Sequence, residues 1–286
     1  MNRDYSSISP SAKALLLMKG LTNIPFMAEA ARMICGEQSL DKLKGTSFEE
    51  TFLKRLIHFE SRYLSLDSVL FAAGSLNILE ISSGFSFRGL NMVLNHPNVF
   101  FLDTDLSAII EDKRQLIDVF TRHEHLTLKG TLRTQALNVL NQDAFEAAVA
   151  QMPTGRLSII NEGLLMYLNY DEKVNLCQII HKTLKQRNGY WITADVYIRK
   201  KFEGSDFPDS FNQFLADHHV EQNKFDSFEA AEQFFLEQGF KLVTKATSVW
   251  HQLSSVKYVA PEMLKKWIQQ NQNVGKIRET WALKAI

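Results

Sequence analysis

Leu76-Asn77-Ile78-Leu79-Glu80-Ile81-Ser82-Ser83-Gly84 decides how the chain is read. A short, mostly apolar run gives way to three small residues. A buried strand that ends this way lets backbone approach a ligand closely. A helix that follows offers unpaired N–H groups to a polar or negative group. Glu80 stands at the tip either as a brace for the loop or as a ligand contact, and both readings are open.

Downstream, apolar or alternating runs recur at residues 98–102, 126–137, 157–160, 190–197, 240–249 and 278–285. Helical patterns lie between them at 87–94, 107–122, 171–185 and 228–238. Ser107 and Asp171 are the expected caps, and Gly239 closes the last helix. Strands alternating with helices predict an α/β fold with a Rossmann-like, doubly wound and mostly parallel sheet. The two late strands, separated by residues 258–275, are expected to pair antiparallel at one edge.

Upstream there is no strand signal. Residues 12–19, 26–34 and 47–70 are helical in pattern, and Ser47-Phe48-Glu49-Glu50 fits a capping box. The expected organisation is a helical N-terminal cap over 1–70 and a core over 71–286. An aromatic and acidic insertion at 198–227 carries Phe202, Phe207, Phe211 and Phe214.

Bulk properties narrow the class. Lysine plus arginine equals aspartate plus glutamate, 32 each, so no general electrostatic pull toward nucleic acid or an acidic membrane is expected. No apolar run is long enough to span a bilayer, and Met1-Asn2-Arg3-Asp4-Tyr5 lacks a signal-peptide core. Cys35 and Cys177 make neither a disulfide framework nor a zinc site. These features predict a soluble, cytoplasmic protein without nucleic-acid or membrane partners; none of them sets an oligomeric state.

The second strand ends Phe101-Leu102-Asp103-Thr104-Asp105. An acidic residue about 20 positions beyond the glycine turn takes a ribose diol, because a carboxylate accepts from both hydroxyls. Asp103 and Asp105 alternate along an extended chain, so both are expected on one side. A dinucleotide loop wants G-x-G-x-x-G, whereas Ser82, Gly84 and Phe87 occupy those three positions. S-adenosylmethionine has no phosphate and needs less of such a loop.

Several segments, in order, resemble the leucine carboxyl methyltransferase family and its polyketide O-methyltransferase relatives. They are His58-Phe59-Glu60-Ser61-Arg62 through Asp67, the turn Ile81 to Leu90 with Ser86-Phe87-Arg88, Asp103-Thr104-Asp105-Leu106 followed by Lys113, and Asn161-Glu162-Gly163-Leu164-Leu165-Met166-Tyr167-Leu168. The resemblance implies a class I methyltransferase using S-adenosyl-L-methionine to methylate a carboxylate or hydroxyl on a small molecule, with a protein carboxyl terminus as the other acceptor it allows. It implies that Arg62 pairs with the cofactor carboxylate and that Ser82, Ser83 and Gly84 pass under the methionine part. Asp105, with Asp103 as second choice, would hold the ribose. Asn138 and Val139 would flank adenine, and Glu162 would face the amino or sulfonium end. The sequence departs from the family where Ser82, Ser86 and Asn138 replace a glycine and two aspartates.

No residue marks itself as nucleophile or general base, so the catalytic assignment is left open. His123-Glu124-His125 and His218-His219 lack the helical spacing of a zinc site, and no metal is expected. Two alternatives stand beside methyl transfer: a cofactor-binding protein without turnover, and a dinucleotide-dependent oxidoreductase on the same sheet.

Overall fold

The computed structural model describes residues 9–44, 48–123, 125–199, 210–274 and 276–286. Its centre is β1 (Asn77–Glu80), buried along its whole length. An apolar strand covered on both faces belongs in the middle of a parallel sheet. It pairs in parallel with β2 (Phe100–Asp105) on one side and β4 (Leu157–Asn161) on the other. β3 (Thr131–Ala136) extends the sheet beyond β2, and β5 (Tyr190–Tyr197) extends it beyond β4. β7 (Arg278–Ala285) runs antiparallel between β5 and β6 (Phe240–Lys245), giving the seven-stranded order β3-β2-β1-β4-β5-β7-β6. The expected antiparallel pair is therefore present, with β7 one strand in from the edge.

β6 ends at Lys245 rather than near 249. The chain beyond it is drawn away: the Glu60 carboxylate accepts the Ser254 and Ser255 N–H groups at 2.9 and 2.8 Å. Two single-turn segments, Trp250–Gln252 and Ser254–Tyr258, replace the expected strand end, followed by α11 (Pro261–Val274).

The helices ahead of the sheet are α1 (Ser9–Lys19), α2 (Met27–Cys35), α3 (Ser39–Lys44) and α4 (Glu50–Ala73). The expected cap Ser47 lies outside the described residues; Glu49 holds the N-cap position of α4 without a side-chain cap bond. Leu66, Val69 and Leu70 of α4 pack on Ile78, Ile160 and Ile192 of the sheet. Its other stripe, with Leu56 and Tyr63, packs with Leu16, Leu21 and Met27 of the N-terminal segment and with Phe87 and Leu90. One long helix thus ties the N-terminal helices to the sheet.

The remaining helices are α5 (Arg88–Asn95), α6 (Ser107–His123), α7 (Gln142–Ala150), α8 (Tyr170–Arg187), α9 (Ser210–Asp217) and α10 (Phe228–Glu237). The opposite sheet face is covered through Phe145 of α7, Leu176 and Ile180 of α8 and Phe235 of α10, which meet Leu79, Ile159, Trp191 and Trp281. Asn169, not Asp171, caps α8: its side chain accepts the Glu172 N–H at 3.0 Å, and Glu172 accepts the Asn169 N–H at 2.8 Å. The strand order reverses between β1 and β4, which opens a crevice beyond their carboxyl ends.

Candidate functional site

The β1 tip turns through two left-handed residues, Ser82 at φ 50° and Gly84 at φ 52°. A side-chain carbon added at Gly84 would meet nothing within 4 Å, so the backbone there faces open space. The turn is fixed from the β2 side: the Thr104 carbonyl accepts the Ser83 N–H at 2.9 Å, and Asp105 Oδ2 accepts the Gly84 N–H at 2.7 Å. Asp105 Oδ1 accepts its neighbour Leu106 N–H at 2.7 Å. Each oxygen keeps acceptor capacity beyond these bonds. Burial pushes the Asp105 carboxyl up, against the two N–H groups that favour its charged form.

Asp103 does not share this position. It is fully buried beneath the loop, 3.0 Å from Lys113 Nζ, which also donates to Ser83 Oγ at 2.9 Å. Asp103 and Lys113 brace the turn from below, and burial holds the Asp103 carboxyl above its ordinary value despite Lys113. Glu80 is also a brace: it forms an ion pair with Arg88, and Ser86 Oγ donates to it at 3.4 Å. Ser86 Oγ also accepts the Arg88 N–H at 3.3 Å, so the serine in the aspartate position binds the first N–H of α5 from the residue before its N-cap, Phe87.

Across the crevice, the β4 tip carries Glu162. Its carboxylate meets Lys19 Nζ at 2.5 Å, Arg88 Nη2 at 3.1 Å and Arg62 Nε at 3.2 Å. Burial favours the neutral acid, but Lys19, Arg62 and Arg88 outweigh it and hold Glu162 well below the usual carboxylate range. Arg88 also pairs with Asp67 and lies 4.0 Å from the centroid of the Tyr63 ring. Arg62 Nη1 donates to the Tyr197 hydroxyl at 3.3 Å, and that hydroxyl is 2.8 Å from His58 Nε2. Gly163, at φ 84°, keeps room for the guanidinium: an added side-chain carbon would stand 3.2 Å from Arg62 Nη2.

The loop after β4 is clamped by Asp195 of β5. Its carboxylate accepts the Gly163 and Leu164 N–H groups, each at 2.7 Å, and the Asn161 amide at 2.7 Å. Asn161 in turn accepts the Trp191 indole N–H at 2.7 Å.

The structure thus brings Ser82, Ser83, Gly84 and Asp105 together on one side of the crevice and Arg62 with Glu162 on the other. Glu80 and Asp103 lie beneath. Asn138 is exposed, its Oδ1 accepting the Leu140 N–H at 3.1 Å, while Val139 packs into the core. Lys19, Arg88, Asp195, Tyr197 and His58 were absent from the sequence-derived site. Arg88 was visible as the end of the glycine-turn motif. Asp195, an acid inside an apolar strand, was a usable signal. Lys19 had none, since its partner is 143 positions away. Among the described residues no group of three or more His, Cys, Asp or Glu is placed to hold a metal ion, and no helix is long and apolar enough to cross a membrane.

The strand order, with β7 reversed between β5 and β6, is that of a Rossmann-like, mostly parallel sheet with antiparallel strands at one edge. No protein-family profile matches the chain. No curated protein sequence matches it. Among solved structures, the chain is similar to mitomycin 7-O-methyltransferase MmcR at 12% identity and TM-score 0.46, over 92% of this chain and 69% of that one. It is similar to the pyocyanin biosynthetic protein PhzM at 10% identity and TM-score 0.45, over 99% of this chain and 74% of that one. A structure described as a pericyclic reaction enzyme matches at 10% identity and TM-score 0.44, over 74% of this chain but only 43% of its own length. Identities of this size describe architecture, and the fold stands on the strand order of the chain itself.

Proposed function

We propose that the crevice between the β1 and β4 tips binds S-adenosylmethionine and that the chain methylates an oxygen, carboxylate or hydroxyl, of a small molecule. The observation that carries this reading is the Glu162 cluster, facing the Asp105–Gly84 bond across the switch point of the sheet. Lys19, Arg62 and Arg88 are matched by Glu162, Glu80 and Asp67, so the cluster is charge-balanced. An amino-acid zwitterion brings one ammonium and one carboxylate and preserves that balance. A dinucleotide brings a pyrophosphate, for which the Ser82-Ser83-Gly84 turn lacks the glycine pattern.

In this reading Arg62 and Lys19 hold the methionine carboxylate and Glu162 the ammonium. A guanidinium fork suits the first task. Gly84, with Ser82 and Ser83, lets backbone pass close to the methionine part, and Asp105 accepts from the ribose hydroxyls. Asn138 and Val139 flank the adenine. When bound, the cofactor supplies an electrophilic methyl group. The protein then has mainly to align the acceptor oxygen and exclude water.

The helices before β1 serve as the cap, and the segment around α9 covers the acceptor side. Asn223 donates to the Met166 carbonyl at 3.1 Å, and the Tyr167 ring meets Phe214 and His218 at 6.2 and 6.3 Å between centroids. These contacts seat that segment on the loop after β4.

Calorimetric titration with S-adenosylhomocysteine tests the reading. Wild type should bind, and Arg62→Ala and Asp105→Ala should each weaken binding roughly 10- to 100-fold, the size of a lost hydrogen bond to a charged group. No binding by wild type, or unchanged binding by both variants, would overturn it.

A further inference from the structure

Arg278 opens β7 directly opposite Tyr197, at the ligand edge of the sheet. Its Nη1 donates to Thr280 Oγ1 at 2.8 Å, the Ala194 carbonyl at 3.3 Å and Ser65 Oγ at 3.5 Å. All three acceptors are neutral. Among the described residues no carboxylate lies within ion-pair distance of this guanidinium, and its Nε and Nη2 make no hydrogen bond. Nor are those two nitrogens among the sealed, unsatisfied buried atoms. The edge formed by Nε and Nη2 is the one a carboxylate engages with two parallel bonds.

The charges around it are mixed: Arg62 opposes the guanidinium, while Asp195 and Glu162 favour it from beyond ion-pair distance. Burial, then Arg278, Arg62 and Lys224, hold His58 well below its ordinary value, so its ring is neutral. The nearby acids are committed elsewhere: Asp195 to backbone N–H groups and Asn161, Glu162 to Lys19, Arg62 and Arg88. A largely buried charge without a counter-ion is costly, and a ligand that brings the anion removes that cost.

We propose that Arg278, with the hydrogen-bonded Tyr197 and His58 beside it, forms a subsite for a carboxylate on the methyl acceptor. This rests on the methyl-transfer reading for its place in the reaction, but the binding itself does not depend on it. Arg278 grips the acid through Nε and Nη2. Tyr197, 3.3 Å from Arg62, links this subsite to the Glu162 cluster.

The test uses the full chain saturated with S-adenosylhomocysteine. Benzoate, phenylacetate and hexanoate are compared with their amides by ligand-observed NMR. Wild type should prefer each acid to its amide. Arg278→Gln should weaken acid binding at least roughly tenfold, leaving amide and S-adenosylhomocysteine affinities unchanged. Arg278→Lys keeps a cation and should retain part of the preference; it also serves if the glutamine variant does not fold. Absence of acid binding in wild type, equal binding of acids and amides, or acid binding untouched by Arg278→Gln overturns the subsite. If wild type binds acids through Arg278 but fails to bind S-adenosylhomocysteine, the methyl-donor reading falls and the subsite stands. Turnover of hydroxybenzoates with methyl-labelled cofactor separates two placements of the acid. A base-labile ester makes it the methylated group and a base-stable ether makes it an anchor; either product, lost in Arg278→Gln, supports the subsite.

Discussion

Ser82 holds φ at 50°, a backbone that costs an L-residue on the order of 1 kcal/mol and that glycine adopts freely. Replacing Ser82 with glycine should therefore raise stability by up to about 1 kcal/mol in denaturant unfolding. A lower unfolding midpoint would mean that the serine side chain repays its strain. Single residues also show what a sequence can tell. Arg62, Asp105 and Glu162 were legible because each sits in a short local motif. Glu80 was legible as either a brace or a ligand contact, and Asp103 only as an acid at a strand tip, since their partners Arg88 and Lys113 meet them only in three dimensions. Lys19 and Arg278 were silent: each acquires its neighbours from strands or helices far along the chain.

At the scale of elements, α5 packs closely on β2 through Gly89. A side-chain carbon added at Gly89 would stand 2.6 Å from the Phe101 ring and 2.9 Å from Leu132. Gly89→Ala should destabilise the fold by about 1–3 kcal/mol, as overpacking does, and equilibrium unfolding measures it; an unchanged midpoint would show that α5 shifts freely. The buried strands β1, β2, β4 and β5 were readable as apolar runs bounded by turns. α3, α7, α9 and α11 were not read from the sequence, nor was Asn141, whose side chain accepts the Ala144 N–H to cap α7. The register that places β7 inside β6 follows from pairing, which no local pattern records.

For the whole molecule, the site is also a stability device. The folded-state pKa of Glu162 lies below its ordinary value of 4.5. For an acid shifted this way, the stabilisation is present above that value and is lost as pH falls through the folded pKa. Glu162→Gln leaves Lys19, Arg62 and Arg88 short of a counter-charge and should cost about 3 kcal/mol at pH 7. The gap between variant and wild type should shrink as pH drops below about 4.5; a gap that is constant with pH in denaturant unfolding would show that Glu162 acts through packing alone. The same cluster connects helix α1, helix α4, the β1 loop and the β4 tip, so the fold and the proposed cofactor site share one set of charges. Those charges are proposed to receive S-adenosylmethionine, and equilibrium dialysis with methyl-labelled S-adenosylmethionine measures whether they do. One saturable site per chain is expected, emptied by S-adenosylhomocysteine and untouched by NADH; no retained label, or displacement by NADH, would contradict it.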